Sequence, residues 1–187
     1  MGQQASGASQ SLDEYQESIQ IMSGRRGLVS KEQDAAAVAA KRGRLRYYLD
    51  GQSTSVGRYV LEQSLFLLLG GIPSLIDIGL RAVAYKMILR TRGKVAIENN
   101  VRLCMPHNIT LGRDVYLDYG VYLHACPKGI FIGDGTFVMH NAELHVYNFR
   151  DLPHSGIWVG ENCFIGEFSI IRGQGGVTIG NHVLLAP

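Results

Sequence analysis

From Val95 onward the apolar residues fall on a beat of six. Its clearest mark is an Ile-x-aliphatic-Gly unit, seen at Ile109–Gly112, Ile130–Gly133, Ile157–Gly160 and, with Val in first place, at Val177–Gly180. The starts of these units lie 21, 27 and 20 residues apart, and further six-residue units fill the gaps. One aliphatic column runs Ile97, Leu103, Leu111, Leu117, Leu123, Ile132, Val138, Leu144, Val159, Ile165, Ile171, Ile179 and Leu185. Two residues before each sits Val95, Val101, Ile109, Val115, Val121, Ile130, Thr136, Ala142, Ile157, Cys163, Ser169, Val177 or Val183. Residues two apart on a strand share a face, so each unit predicts a short strand with both residues turned inward. A Gly or small polar residue then turns the corner. Three strands per circuit give a triangular coil of about 18 residues, and coils stack at about 4.8 Å. The stacked inner columns form a core that no single coil could bury. An antiparallel sandwich of short strands is the competing architecture, and a step of six at eight of the twelve intervals between the thirteen units argues against it. The pattern does not fix handedness, and the general rule for parallel crossovers would favour a right-handed coil.

A different pattern precedes the repeats. Val56 to Arg92 carries the longest apolar stretch, interrupted at Gly70-Gly71 and Pro73. The first helix is expected to end there, and a second to start with Ser74 as its cap. On that second helix Asp77, Arg81 and Tyr85 fall four apart, a narrow polar stripe with an acid-before-base pair. Neither half approaches the ~20 residues that would cross a bilayer. Before it, Lys31 to Arg46 predicts a short helix, and the Gln-, Ser- and Gly-rich residues 1–30 a mobile tail. Three regions result: a polar tail with a short helix (1–44), a basic apolar helical pair (45–94) and a parallel β-helix (95–187).

Charge sharpens the middle region. The net +2 conceals ten basic against three acidic residues in 41–94, flanked by segments of net negative charge. Two short apolar helices with clustered Lys and Arg suit an anionic membrane surface contacted through 56–92. A cap on one end of the β domain is the plainer alternative, and the two roles are compatible. Cys104, Cys126 and Cys163 are odd in number and form no CxxC, a poor disulfide or zinc-finger framework. Residues 1–30 lack the charged start and apolar run of a signal peptide. The expected compartment is the cytoplasm, with peripheral contact to the inner face of its membrane. No nucleic-acid partner is expected.

The array, with its Ile130-Phe-Ile-Gly-Asp-Gly135 unit and closing Val177–Pro187 stretch, resembles the left-handed β-helix hexapeptide-repeat acyltransferases. It is most similar to the sugar and polysaccharide O-acetyltransferases. The Arg58-Tyr-Val-Leu-Glu62, Pro73, Arg81 and Tyr85 lead-in resembles that of membrane-associated members, so the likeness covers about residues 56–187. The resemblance implies left-handed coils, a homotrimer, acetyl-CoA as co-substrate in a groove between neighbouring β-helices, and a saccharide acceptor. It also implies a histidine acting as general base on the acceptor hydroxyl, since an imidazole titrating near neutrality can take its proton. That histidine follows shortly after the stretch matched by Val183–Pro187. The catalytic residue is therefore expected beyond Pro187, in a longer reading frame, and none of the six histidines here matches it.

Those histidines divide into two groups. His107, His154 and His182 fall at corners or loops and are expected to be solvated. His124 and His145 each follow an inward Leu and lie one coil apart, so they should stack, whereas His140 falls on another edge of the triangle. Together His124, His140 and His145 are similar to the zinc ligands of the γ-class carbonic anhydrases, where the metal lies between subunits. Three imidazoles and an open position would hold a hydrating zinc. Finally, the 146–156 stretch lengthens its coil, and a long loop on a rigid solenoid is a natural place for substrate contacts. There Tyr147, Phe149 and Arg150 could stack on or clamp a sugar. The alternatives to an acyltransferase are thus a zinc hydratase and a non-catalytic β-helix.

Overall fold

The computed structural model describes residues 52–72, 74–126, 128–146 and 154–186, with Gly43, Arg46, Tyr48 and Leu49. The expected mobile tail, almost all of the Lys31–Arg46 helix, and Pro73 lie outside the described residues. The described residues from Tyr48 onward belong to one compact unit.

Among the described residues, helix α1 (Val56–Leu69) and helix α2 (Leu75–Ala84) lead into the strands. Ser55 caps α1 by accepting from the Arg58 amide, and Ser74 caps α2 by accepting from Ile76. The break therefore falls where the glycines and Ser74 predicted it.

Fourteen short strands follow among the described residues. One all-parallel sheet stacks β1 (Arg90–Thr91), β4 (Ile109–Leu111), β7 (Ile130–Ile132), β10 (Ile157–Val159) and β13 (Val177–Ile179). A second stacks β2 (Val95–Ile97), β5 (Val115–Leu117), β8 (Phe137–Val138), β11 (Phe164–Ile165) and β14 (Leu184–Leu185). The third contains β3 (Arg102–Cys104), β6 (Tyr122–His124), β9 (Glu143–His145) and β12 (Ile170–Arg172). The chain visits the three sheets in turn, and the result is a parallel β-solenoid of about four turns. β1 precedes the repeats that the sequence marks, because Thr91 takes the inner position that an aliphatic residue fills in the later units.

The inner columns hold. Every aliphatic position from Ile97 to Ile171 is buried, and Ile179 and Leu185 of the last coil are half-buried, with no described strand stacked beyond them. Corners explain the polar punctuation. Asn100, Asp114, Gly120, Gly135, Asn141, Asn162, Phe168 and His182 all take positive φ, each one residue before an inner position. Gly and Asn adopt that left-handed conformation readily, whereas Phe168, at φ 56°, does so against its preference. The Gly of the recurring unit has another cause. A Cβ on Gly133 would lie 2.5 Å from the Gly160 carbonyl oxygen of the next coil.

The helices finish the first coil. Parallel coils bond edge to edge, so a terminal coil leaves backbone groups without a neighbouring strand. Here the Asn100 amide donates to the Gly70 carbonyl, at 2.6 Å. The fully buried Arg81 donates from Nε to the Ile97 carbonyl (2.8 Å), and from Nη1 to those of Leu69 (2.7 Å) and Ile72 (3.1 Å). The guanidinium thus serves backbone carbonyls rather than the Asp77 pair expected from spacing. Leu65, Phe66 and Leu69 pack on the core, with Phe66 edge-on to Tyr85 at 5.7 Å.

Candidate functional site

The outward side chains of β3, β6, β9 and β12 form two vertical rows. One reads Arg102, Tyr122, Glu143 and Ile170, and the other Cys104, His124, His145 and Arg172. Strand pairing in register brings these residues together although they are 18 to 27 positions apart. The His124 and His145 rings stack with centroids 4.6 Å apart and planes 14° from parallel, as their one-coil separation predicted.

Partners fix both rings. The Tyr122 hydroxyl lies 3.0 Å from His124 Nδ1 and 3.6 Å from Cys104 Sγ, which donates to Gln52 Oε1 at 3.2 Å. His145 Nδ1 lies 3.0 Å from Glu143 Oε1 and also meets the Arg172 guanidinium, which reaches the same carboxylate at 3.4 Å. Burial, and then Arg172, hold the His145 pKa below the ordinary histidine value, with Glu143 opposing them. Burial likewise raises the Cys104 thiol and, more strongly, the Tyr122 phenol. At neutral pH the cluster therefore holds a neutral His145, a protonated phenol and a protonated thiol. A carboxylate-oriented imidazole is the arrangement a general base requires. Both Nε2 atoms are nevertheless shielded from solvent.

The other histidines are elsewhere. His140 sits at a corner, its ring edge-on to Phe168 at 5.2 Å and its Nδ1 3.8 Å from Asp118 Oδ2. Among the described residues, no group of three or more His, Cys, Asp or Glu is placed to hold a metal ion. Hence one chain brings together two of the three histidines considered as zinc ligands. His154 and His182 are exposed, as expected of corner residues. His107 corrects that expectation: it is half-buried, and burial lowers its pKa. It sits on the short helical turn Pro106–Asn108, with its Nδ1 shielded from solvent. Tyr147, Phe149 and Arg150 lie outside the described residues.

Among the described residues, a larger and a smaller cavity adjoin the solenoid wall. The larger, of about 420 Å³, lies between the helical segment and the first coil, with Gln52, Gln63, Phe66, Asn100 and Arg102 in its lining. It touches the histidine network at two residues, because Gln52 accepts from Cys104 and Arg102 lies over the Tyr122 ring at 5.7 Å. The smaller, of about 250 Å³, is lined by Arg90, Phe131 and Trp158 of the first sheet and by Lys128 of the turn before β7.

Sequence reasoning found the histidine stack but missed Tyr122, Glu143, Arg172 and Cys104 around it. The signal was available, since residues flanking an inner position point outward and repeat with the coil. No protein-family model and no curated protein matches the chain.

Proposed function

We propose that the protein is an O-acyltransferase that uses acetyl-CoA and a saccharide or polysaccharide precursor, working in the cytoplasm as a homotrimer. One observation carries this reading: the stack of hexapeptide coils with continuous inner columns, the architecture of the enzymes the sequence resembles. Those enzymes bind acyl-CoA between adjacent solenoids. An outward row of the second sheet, Tyr116, Phe137, Phe164 and Leu184, is apolar enough for such side-by-side packing. In the reaction the acceptor hydroxyl oxygen attacks the thioester carbonyl as a base takes its proton. The carbon–sulfur bond then breaks, leaving an ester and the CoA thiol. Backbone amides would stabilise the oxyanion. No described histidine is assigned as the base.

The test is thiol release from acetyl-CoA by the purified full reading frame across a panel of saccharide acceptors, with calorimetry for acetyl-CoA binding. Saccharide-dependent release together with binding supports the reading. Absence of both at millimolar acetyl-CoA would overturn it.

A zinc hydratase is the second reading, supported by the 4.6 Å imidazole stack. It requires His140 from a second copy. Near-stoichiometric zinc in the purified protein, lost in both His124→Ala and His140→Ala, would replace the acyltransferase reading with this one.

A further inference from the structure

The helical pair is built inside out. On α2 the polar residues Asp77 and Arg81, with Tyr85 just after it, are buried against the solenoid. The apolar side chains of Leu75, Ile76, Leu80 and Val83 point away from it, with Leu75 87% exposed. On α1 the acidic Glu62 is buried while Leu67, at 86% exposed, and Leu68 face outward. A water-facing helix would have the opposite arrangement. The inversion follows from the solenoid, because the open edge of its first coil draws in Arg81 and thereby turns the leucines outward.

Charge within this segment is segregated as well. Between residues 52 and 94 the acidic side chains are Glu62 and Asp77, and both are buried. Lys86, Arg90, Arg92 and Lys94 are exposed. The surface of this segment is therefore apolar and basic with no exposed carboxylate.

We infer that α1 and α2 dock on an anionic phospholipid surface, with the leucine face in the interface and the Lys and Arg side chains among the headgroups. The helices lie on the bilayer and do not cross it. At 14 and 10 residues they extend about 21 and 15 Å, against a hydrocarbon core of about 30 Å. No described helix is long and apolar enough to span a membrane. Because the helices cover the edge of the first coil, docking holds that coil nearest the lipid. A free protein partner would explain the apolar face but gives no reason for the absence of exposed carboxylates. The inference is independent of the reaction the solenoid performs.

Vesicle flotation of the full chain, without acyl-CoA or saccharide, tests it. Vesicles of phosphatidylethanolamine with phosphatidylglycerol should carry the protein upward, those of phosphatidylcholine alone should not, and high salt should weaken the binding. The double variant Leu75→Ser, Leu80→Ser should bind about tenfold more weakly or worse. Both residues are exposed, so its circular dichroism and melting temperature should match wild type, which separates lost docking from lost folding. Lys86→Glu with Arg90→Glu should reduce binding to the anionic vesicles alone. Three results would overturn the inference: no flotation with anionic lipid, equal flotation with phosphatidylcholine, or a soluble dimer that the leucine variant dissolves while vesicles bind neither form.

Discussion

Replacing Arg81 by Met tests the assembly of helices and solenoid more directly than any other single change. The side chain is fully buried and its guanidinium donates to the carbonyls of Ile97, Leu69 and Ile72. Met keeps much of the apolar stem and removes all three bonds. The Ile97 bond is buried, so its loss leaves a carbonyl without water and costs about 1–3 kcal/mol. The other two are partly buried and cost about 0.5–1.5 kcal/mol each, since water can replace them. Relief from burying a cation offsets part of this. The expected net loss is about 3 kcal/mol, or roughly 6–12 °C in melting temperature for a unit of this size. Arg81→Lys should recover only part, because an ammonium lacks the planar fork that reaches three carbonyls. Urea denaturation followed by circular dichroism measures the total. Hydrogen exchange locates it: in a stacked solenoid the loss should be greatest at the first coil and the helices, including the Asn100 amide, and least near β12. A Met variant within about 1 kcal/mol of wild type, with Asn100 exchange unchanged, would refute the capping argument.

Three further outcomes are expected. Leu144→Ala, fully buried between Leu123 and Ile171 in the stacked register, should cost about 2–5 kcal/mol in urea denaturation. Gly133→Ala should cost about 1–3 kcal/mol in the same assay, because its Cβ would meet the backbone of Gly160 and Glu161, which cannot move aside as a flexible side chain could. The pH dependence follows from His107 and His145, whose pKa values are lowered on folding. Below the ordinary histidine pKa of about 6.5 the unfolded chain binds more protons than the folded one, so stability should fall as pH drops through that value. Melting temperatures from pH 7.5 down to pH 5 would show it, and His145→Gln should flatten the slope. A slope unchanged in that variant would show that its protonation is not coupled to folding.

The inner columns and stacked strands were legible in the sequence because their causes are local. Alternation puts residues two apart on one face, and a period of six returns the chain to the same corner geometry. The same arithmetic placed His124 over His145, one coil later. Gly70 and Ser74 likewise marked the helix break through their own backbone and capping preferences. The Asp77, Arg81 and Tyr85 stripe was equally visible, but which way it faced was not. A helical period shows which residues share a side, whereas the side turned inward depends on what the helix meets. Here it meets the carbonyl edge of a coil that exists only once residues 95–124 have folded, and Arg81 is drawn to that edge. The partners of the histidines were decided in the same way. Arg172 reaches His145 across 27 residues because β12 stacks in register on β9. Spacing fixed the columns. Tertiary packing chose the faces, since unpaired backbone groups and stacked side chains arise only when the coils close on one another.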